Sequence, residues 1–294
     1  MITFKLILRA IYLFVINPRL FLKYLNYRFK RFTREWKNFN LKKFSKKFDG
    51  VNFNINIKDF GIGQHYIKQI YFDCYQLDVL YAMKKYLKQG DIFIDVGANI
   101  GYFTALGTSL VGKNGQVHAF EPMPDVFKGL IKVKKRNPAY KIILNHYALG
   151  NIEGKAIMTM VLGEASGGSS FVEEVMGDQL LIKKRAKIKI ARLDRYLQKN
   201  NIQAIALIKI DVEGYEFPVL LGLENYFKNT NERPIIVCEI TPRAYPRIGY
   251  NRFQLINYMK NFGYQAYRVT NDKIPVDITK FKEGEDVIFK SSKK

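Results

Sequence analysis

The chain has 294 residues, of which 48% are hydrophobic and 14% aromatic, with a charged fraction of 25%. That composition supplies a sizeable core and excludes an intrinsically disordered chain. The formal net charge is +22, and thirteen basic residues stand against the single acid Glu35 in the first 48 positions. A polyanion (acidic lipid, nucleic acid or acidic glycan) is therefore the partner expected at that end. The two cysteines, Cys74 and Cys238, form no CxxC pair, which argues against a structural zinc or a disulfide framework.

An apolar run at residues 10–16, AIYLFVI, lies between Arg9 and Pro18. Spanning a bilayer takes about 20 apolar residues. No small-residue cleavage site follows, so neither a transmembrane span nor a signal peptide is expected. Phe4, Leu8, Tyr12 and Val15, then Leu20, Tyr24 and Tyr27, describe a basic aromatic helix able to lie in a membrane interface. The expected division is a basic helical extension over residues 1–48, a cap and lead-in helix over 49–88, and the main domain over 89–294. The expected location is cytoplasmic, peripheral at the membrane face.

Residues 49–58, DGVNFNINIK, alternate apolar and polar positions after an Asp-Gly turn, as a half-buried strand or hairpin does. Apolar spacing over 71–88 approximates a helix, which Gln89-Gly90-Asp91 stops. Strands are then predicted at 92–96, 116–120 and 141–145, with helices near 101–110 and 124–135 between them. An insertion of two strands, 155–162 and 187–191, flanks the loop GEASGGSS at 163–170. Alternation resumes with a helix at 193–199, a strand at 206–210, one helix over 216–227 and a strand at 234–240. A helix at 253–262 and two last strands, YQAYRV and DVIF, complete the pattern. Such alternation predicts an α/β fold with a mostly parallel sheet covered by helices on both faces. Ligands of such sheets sit beyond the carboxyl ends of the strands.

The strand at 92–96 runs into Asp95-Val96-Gly97-Ala98-Asn99-Ile100-Gly101. This is DxGxxxG and not the GxGxxG that brings a pyrophosphate to a helix N-terminus. The preceding acid suits a cationic, amino-acid-bearing ligand, which favours S-adenosylmethionine over NAD or ATP. The next strand ends at Phe120-Glu121-Pro122, where an acid is placed to accept ribose hydroxyls. The third ends at Asn145-His146, and either side chain could meet an adenine edge. The fourth ends in Lys209-Ile210-Asp211-Val212-Glu213-Gly214-Tyr215-Glu216.

DVGANIGYF, AFEP, HYALGN, LDRYL and KIDVEGYE, in that order, resemble the FkbM-type methyltransferases that use S-adenosylmethionine, over roughly residues 75–240. The resemblance implies a class I, Rossmann-like methyltransferase acting mainly on hydroxyl groups of sugars, polysaccharides and natural products. It also implies Asp95, Gly97, Asn99, Gly101 and Glu121 around the cofactor, and Asp211 and Glu213 near the transferred methyl. Residues 1–48 lie outside it.

Methyl transfer is an in-line displacement in which the acceptor hydroxyl benefits from a base. Asp211 and Glu213, two apart at a strand end, would point the same way in continued strand geometry. One of them, Asp211 ahead, is expected to orient or deprotonate the acceptor. A structural use of Glu213, bonding amides around Gly214, is the alternative. A magnesium ion on Asp211, Glu213 and Glu239 is a second mechanism, although no metal is assigned. His65 is a candidate base from a lid, and the loop at 167–170 a candidate cover for substrate. The favoured substrate is a sugar, glycan or glycolipid hydroxyl. RNA ribose methylation, with Lys209 and Asp211 as part of a catalytic set, is the alternative, as is a binding protein that keeps the fold without catalysis.

Overall fold

A computed structural model describes residues 43–56, 64–71, 75–162, 169–170 and 182–291, together with positions 22 and 25. The interfacial helix expected near the start, and most of the loop at 163–170, lie outside these residues.

The first described element is an antiparallel hairpin, β1 (Lys43–Phe48) with β2 (Val51–Asn56), turned at Asp49-Gly50. The hairpin straddles positions 48 and 49. Two helices follow, α1 (Gln64–Tyr71) and α2 (Leu77–Tyr86). Of the helical pattern expected over 71–88, Tyr71 closes α1 and α2 begins at Leu77, with 72–74 outside the described residues. Gln76 takes a left-handed backbone with φ 37°, which cannot continue a right-handed helix.

The main domain then alternates as predicted: β3 (Ile92–Val96), α3 (Tyr102–Val111), β4 (Gln116–Phe120), α4 (Pro124–Arg136) and β5 (Lys141–Asn145). The insertion is larger than expected. Strands β6 (Ala148–Leu149), β7 (Gly154–Leu162), β8 (Ser169–Ser170) and β9 (Ile182–Ala191) make a sheet of their own, in the order β6-β9-β7-β8. Next come α5 (Leu193–Lys199), β10 (Leu207–Ile210), α6 (Glu216–Leu221) and α7 (Glu224–Asn229). The chain continues through β11 (Ile235–Ile240), α8 (Arg252–Asn261), β12 (Tyr264–Arg268) and β13 (Glu285–Ser291).

The single helix expected over 216–227 is two, parted at Gly222. A Cβ there would stand 2.4 Å from the carbonyl oxygen of Gly150, and the Gly222 carbonyl accepts from Asp194 N at 2.8 Å. The break lets a loop from the insertion touch the helix backbone directly.

The central sheet runs β12-β13-β11-β10-β3-β4-β5, parallel except for β13, which is antiparallel to both its neighbours. Alternate residues of each strand enter two different cores. Phe93, Val117, Leu207, Val237 and Ile288 pack with the hairpin, α2 and α3. Ile94, Ile208, Ile236, Cys238, Val287 and Phe289 pack with α5 to α8. Both faces are therefore buried, as in an α/β domain of this type. Each fully buried Ile, Phe or Leu contributes about 1.5–3 kcal/mol. This is the mostly parallel, doubly covered fold expected from the sequence. Among the described residues no helix is long and apolar enough to cross a membrane.

Candidate active site

The site assembles where β3, β4, β10 and β11 end. After β3 the chain turns through Gly97 (φ 75°), Asn99 (φ 50°) and Gly101 (φ 89°) into α3. Gly97 is required by contact as well as by conformation. A Cβ there would lie 1.8 Å from the backbone oxygen of Asp211, so the two strand-end turns touch main chain to main chain. The amides of Gly97 and Ala98 both donate to Phe120 O, at 3.1 and 3.0 Å.

Glu121, after β4, braces the same turn. Its Oε2 accepts from Asn99 N at 3.0 Å and its Oε1 from Met123 N at 2.8 Å. Burial is the main reason its carboxyl is pushed up to about 7. Each carboxylate oxygen keeps acceptor capacity beyond one bond.

Asp95 is fully buried, on the face of β3 that also carries Phe93. Its Oδ2 accepts from Thr104 Oγ1 at 2.7 Å, while among the described residues Oδ1 has no hydrogen-bond partner. Burial raises its pKa, partly offset by Lys209 and Thr104. An unsatisfied buried carboxylate oxygen costs about 1–3 kcal/mol, which a donor arriving at this turn would relieve. The orphaned Asp95 oxygen, the Gly97 cradle and the remaining capacity of Glu121 together fit S-adenosylmethionine. Its ammonium and ribose hydroxyls are the donors these oxygens lack.

Sheet register brings the charges together. Lys209 pairs with Asp95 on one side and Val237 on the other, and Glu239 pairs with Asp286. Asp95, Lys209, Asp211 and Glu239 thereby share one face at the carboxyl end. Lys209 is 3% exposed and its Nζ lies 3.1 Å from Asp211 Oδ2 and 4.9 Å from the Phe103 ring centroid. Its pKa is raised although burial opposes this, because Asp211 and Asp95 hold the charge in place. Asp211 also accepts from Gln76 Nε2 at 3.4 Å and shares a hydrogen bond with Glu239. Burial pushes the Asp211 carboxyl up, but the Lys209 ammonium and these bonds outweigh it, and the net shift is downward.

The two neighbouring carboxyls move the other way. Glu213 is pushed up to about 7 by burial and then by Asp211's charge. Glu239 is pushed up to about 11 for the same two reasons. The ligand atoms of Asp211, Glu213 and Glu239 all lie within 4.8 Å of one another, close enough for one cation. Lys209 already supplies positive charge at Asp211.

Glu213 does not continue a strand, as the sequence spacing suggested; its φ is 51° and Gly214 follows at 103°. The turn, and not strand alternation, brings it to Asp211. The Gly214 amide is engaged by the carboxylate that follows. That amide donates to Glu216 Oε1 at 2.6 Å.

Of the two adenine-edge candidates, Asn145 is 8% exposed and donates to Ala119 O and Tyr196 Oη at 3.3 and 3.4 Å. His146 is exposed and stacks on Phe127 at 4.4 Å between centroids. His65 lies in α1, and its side chain is outside the described residues. Sequence reasoning missed Gln76, which precedes the motifs and carries no pattern. It also undervalued Lys209, whose place one residue inside an apolar strand end, two before Asp211, was the available signal.

Residues 95–266 match the methyltransferase FkbM domain family. The hexuronic acid methyltransferase AglP of Haloferax volcanii is 26% identical over 177 residues, covering 58% of this chain and 64% of that protein. The 31-O-demethyl-FK506 methyltransferase FkbM of Streptomyces tacrolimicus is 30% identical over 162 residues, covering 47% and 62%. The chain thus spans just under two thirds of the length of these curated relatives. A crystal structure of methyltransferase FkbM from Methylobacillus flagellatus aligns over 77% of this chain and 55% of that one, at 14% identity and a TM-score of 0.43.

Proposed function

This chain belongs to the FkbM methyltransferase family, whose cofactor is S-adenosylmethionine, and on that premise we propose that it methylates a hydroxyl of a sugar, glycan or glycolipid. The observation that carries this reading is the carboxylate group of Asp211, Glu213 and Glu239, within 4.8 Å of one another, against the Gly97 turn. Asp95, Gly97, Asn99, Gly101 and Glu121 would hold the cofactor, with Asn145 and His146 at its far edge. Bound there, S-adenosylmethionine supplies an electrophilic methyl carbon.

The protein's own residues do the rest. Lys209 keeps Asp211 ionised, and Asp211 orients the acceptor hydroxyl. Glu213, whose pKa of about 7 matches working pH, takes the hydroxyl proton. Asp211's acceptor positions are largely occupied by Lys209, Gln76 and Glu239, which favours Glu213 over Asp211 as the base. The relatives named for a hexuronic acid and for a 31-O-demethyl substrate support a sugar or natural-product hydroxyl. Residues 1–48 we propose to hold the enzyme at an acidic membrane face; unchanged sedimentation with anionic liposomes after deletion of residues 1–42, which spares β1, would refute this.

The test is calorimetric titration with S-adenosylmethionine, followed by radiolabelled methyl transfer to a glycan panel and to RNA. We expect binding that Asp95→Ala abolishes, and transfer to sugar that Glu213→Gln lowers by roughly 10²–10⁴. Absence of cofactor binding, or transfer to RNA alone, would overturn the reading.

A further inference from the structure

An open pocket of about 580 Å³ has Pro242, Arg243, Arg252, Lys280, Phe281 and Lys282 in its lining. We propose that this cavity binds an anionic group of the acceptor, a carboxylate or phosphate carried on a sugar. That identification of the ligand as the acceptor rests on the sugar O-methylation proposed above.

The cavity adjoins the reaction centre through the backbone. Pro242 and Arg243 lie two and three residues past the end of β11, three and four after Glu239. On the adjoining segment that leads into β13, Lys282 lies two residues before Gly284, and a Cβ on Gly284 would stand 3.0 Å from Glu239 Oε1. The size suits a sugar, since ligand pockets run to roughly 300–1,000 Å³.

The chemistry of the wall is specific. Arg243 Nε donates to Lys282 O at 3.1 Å, and Arg252 Nη1 donates to Phe281 O at 2.9 Å. The two guanidinium groups thus grip the same strip of chain, which restrains them while most of their N–H donors stay available for a planar anion. Two carboxylates stand near: Glu283 is 3.7 Å from Arg243 Nη2 and Asp277 is 3.8 Å from Lys280 Nζ. Both separations are too long for hydrogen bonds, and among the described residues the lining carries four cations and no acid. Phe281 and Pro242 add apolar surface for a sugar ring.

The carboxylates next door explain the need for it. An acceptor bearing a negative charge is repelled by Asp211 and its neighbours unless that charge is held elsewhere. Cations on one side and carboxylates on the other would orient such a sugar, anion toward Arg243 and Arg252, hydroxyl toward Glu213. Orientation of this kind is a large part of the rate in a displacement reaction.

The experiment is calorimetry on full-length protein saturated with S-adenosylhomocysteine, so that no turnover occurs. The probes are methyl β-D-glucuronide, glucose 1-phosphate and neutral methyl β-D-glucoside. At least one anionic probe should bind roughly tenfold or more tighter than the glucoside, weakening as salt is raised. The double variant Arg243→Gln, Lys282→Gln should lose that preference. Arg243 is 69% exposed, so the fold should survive, and a thermal melt checks that it does. Binding of all three probes alike, binding of none, or a preference retained in the variant would overturn the proposal; which anion binds tighter separates carboxylate from phosphate. Methyl transfer to neutral sugars as fast as to anionic ones would sink this inference and leave the O-methylation reading standing. An anion preference that the variant abolishes, without transfer to any sugar, would do the reverse for the reading.

Discussion

Gly97 shows how much one position can carry. It must adopt φ 75° and leave Asp211's backbone oxygen room that any Cβ would fill. Gly97→Ala should cost on the order of 3 kcal/mol and abolish cofactor affinity, read by thermal melting and calorimetry. Lys209 is the second such residue. Removing one partner of a buried ion pair leaves an uncompensated charge, worth about 3–5 kcal/mol. Lys209→Met should lower stability by that order, and adding Asp211→Asn should restore part of it. The pH profile of kcat/KM belongs to Glu213. A base must be ionised to accept a proton, so activity should climb with pH through about 7, and the climb should vanish in Glu213→Gln. A profile unchanged by that substitution would move the base elsewhere.

At the level of elements, turns and caps matter more than helix propensity. Helix α8 begins with a reciprocal capping box: Asn251 Oδ1 accepts from Gln254 N at 3.0 Å, and Asn251 N donates to Gln254 Oε1 at 2.8 Å. Arg252, on the wall of the basic cavity, is its first residue. Asn251→Ala should cost about 1 kcal/mol in denaturant unfolding and weaken anionic-sugar binding by loosening that arginine. The boundaries of β3, β4, β5, β10 and β11 were readable from apolar runs, and so was the α5 helix at 193–199. The split at Gly222 and the late start of α2 at Leu77 were not, because each depends on a contact or a local backbone state that no periodicity records.

Across the whole molecule, the sheet gathers carboxyls that prefer to stay protonated. Glu216 is pushed up to about 8, chiefly by burial, and Glu121 to about 7, against an ordinary 4.5. The unfolded chain releases these protons from about pH 4.5, while the folded chain holds them to pH 7 or 8. Their contribution to stability is therefore complete below about 4.5 and lost as pH rises through 7–8. Thermal melts should show a midpoint falling between pH 5.5 and 8.5. Glu216→Gln keeps an acceptor for the Gly214 amide and should flatten that fall; a fall of undiminished slope would mean that other groups carry it.

The sequence by itself determined the alternation of strands and helices, the DxGxxxG turn, the acid after the second strand and the DVEG turn after the fourth. The alternation is a local pattern, set by backbone sterics and by the period of side-chain burial, and it sufficed for the fold class, while the resemblance of the motifs pointed to the family. Only the tertiary structure decided which charges meet. Strand alternation puts Lys209 and Asp211 on one face, but register between strands aligns Asp95 with Lys209 and brings Glu239 alongside Asp211. Lys209 then holds Asp211 ionised, while burial and the charge of Asp211 push Glu213 and Glu239 up. The basic cavity draws on residues 242–252 and 279–282, far apart in sequence, which meet because the antiparallel β13 returns its leading loop to the end of β11.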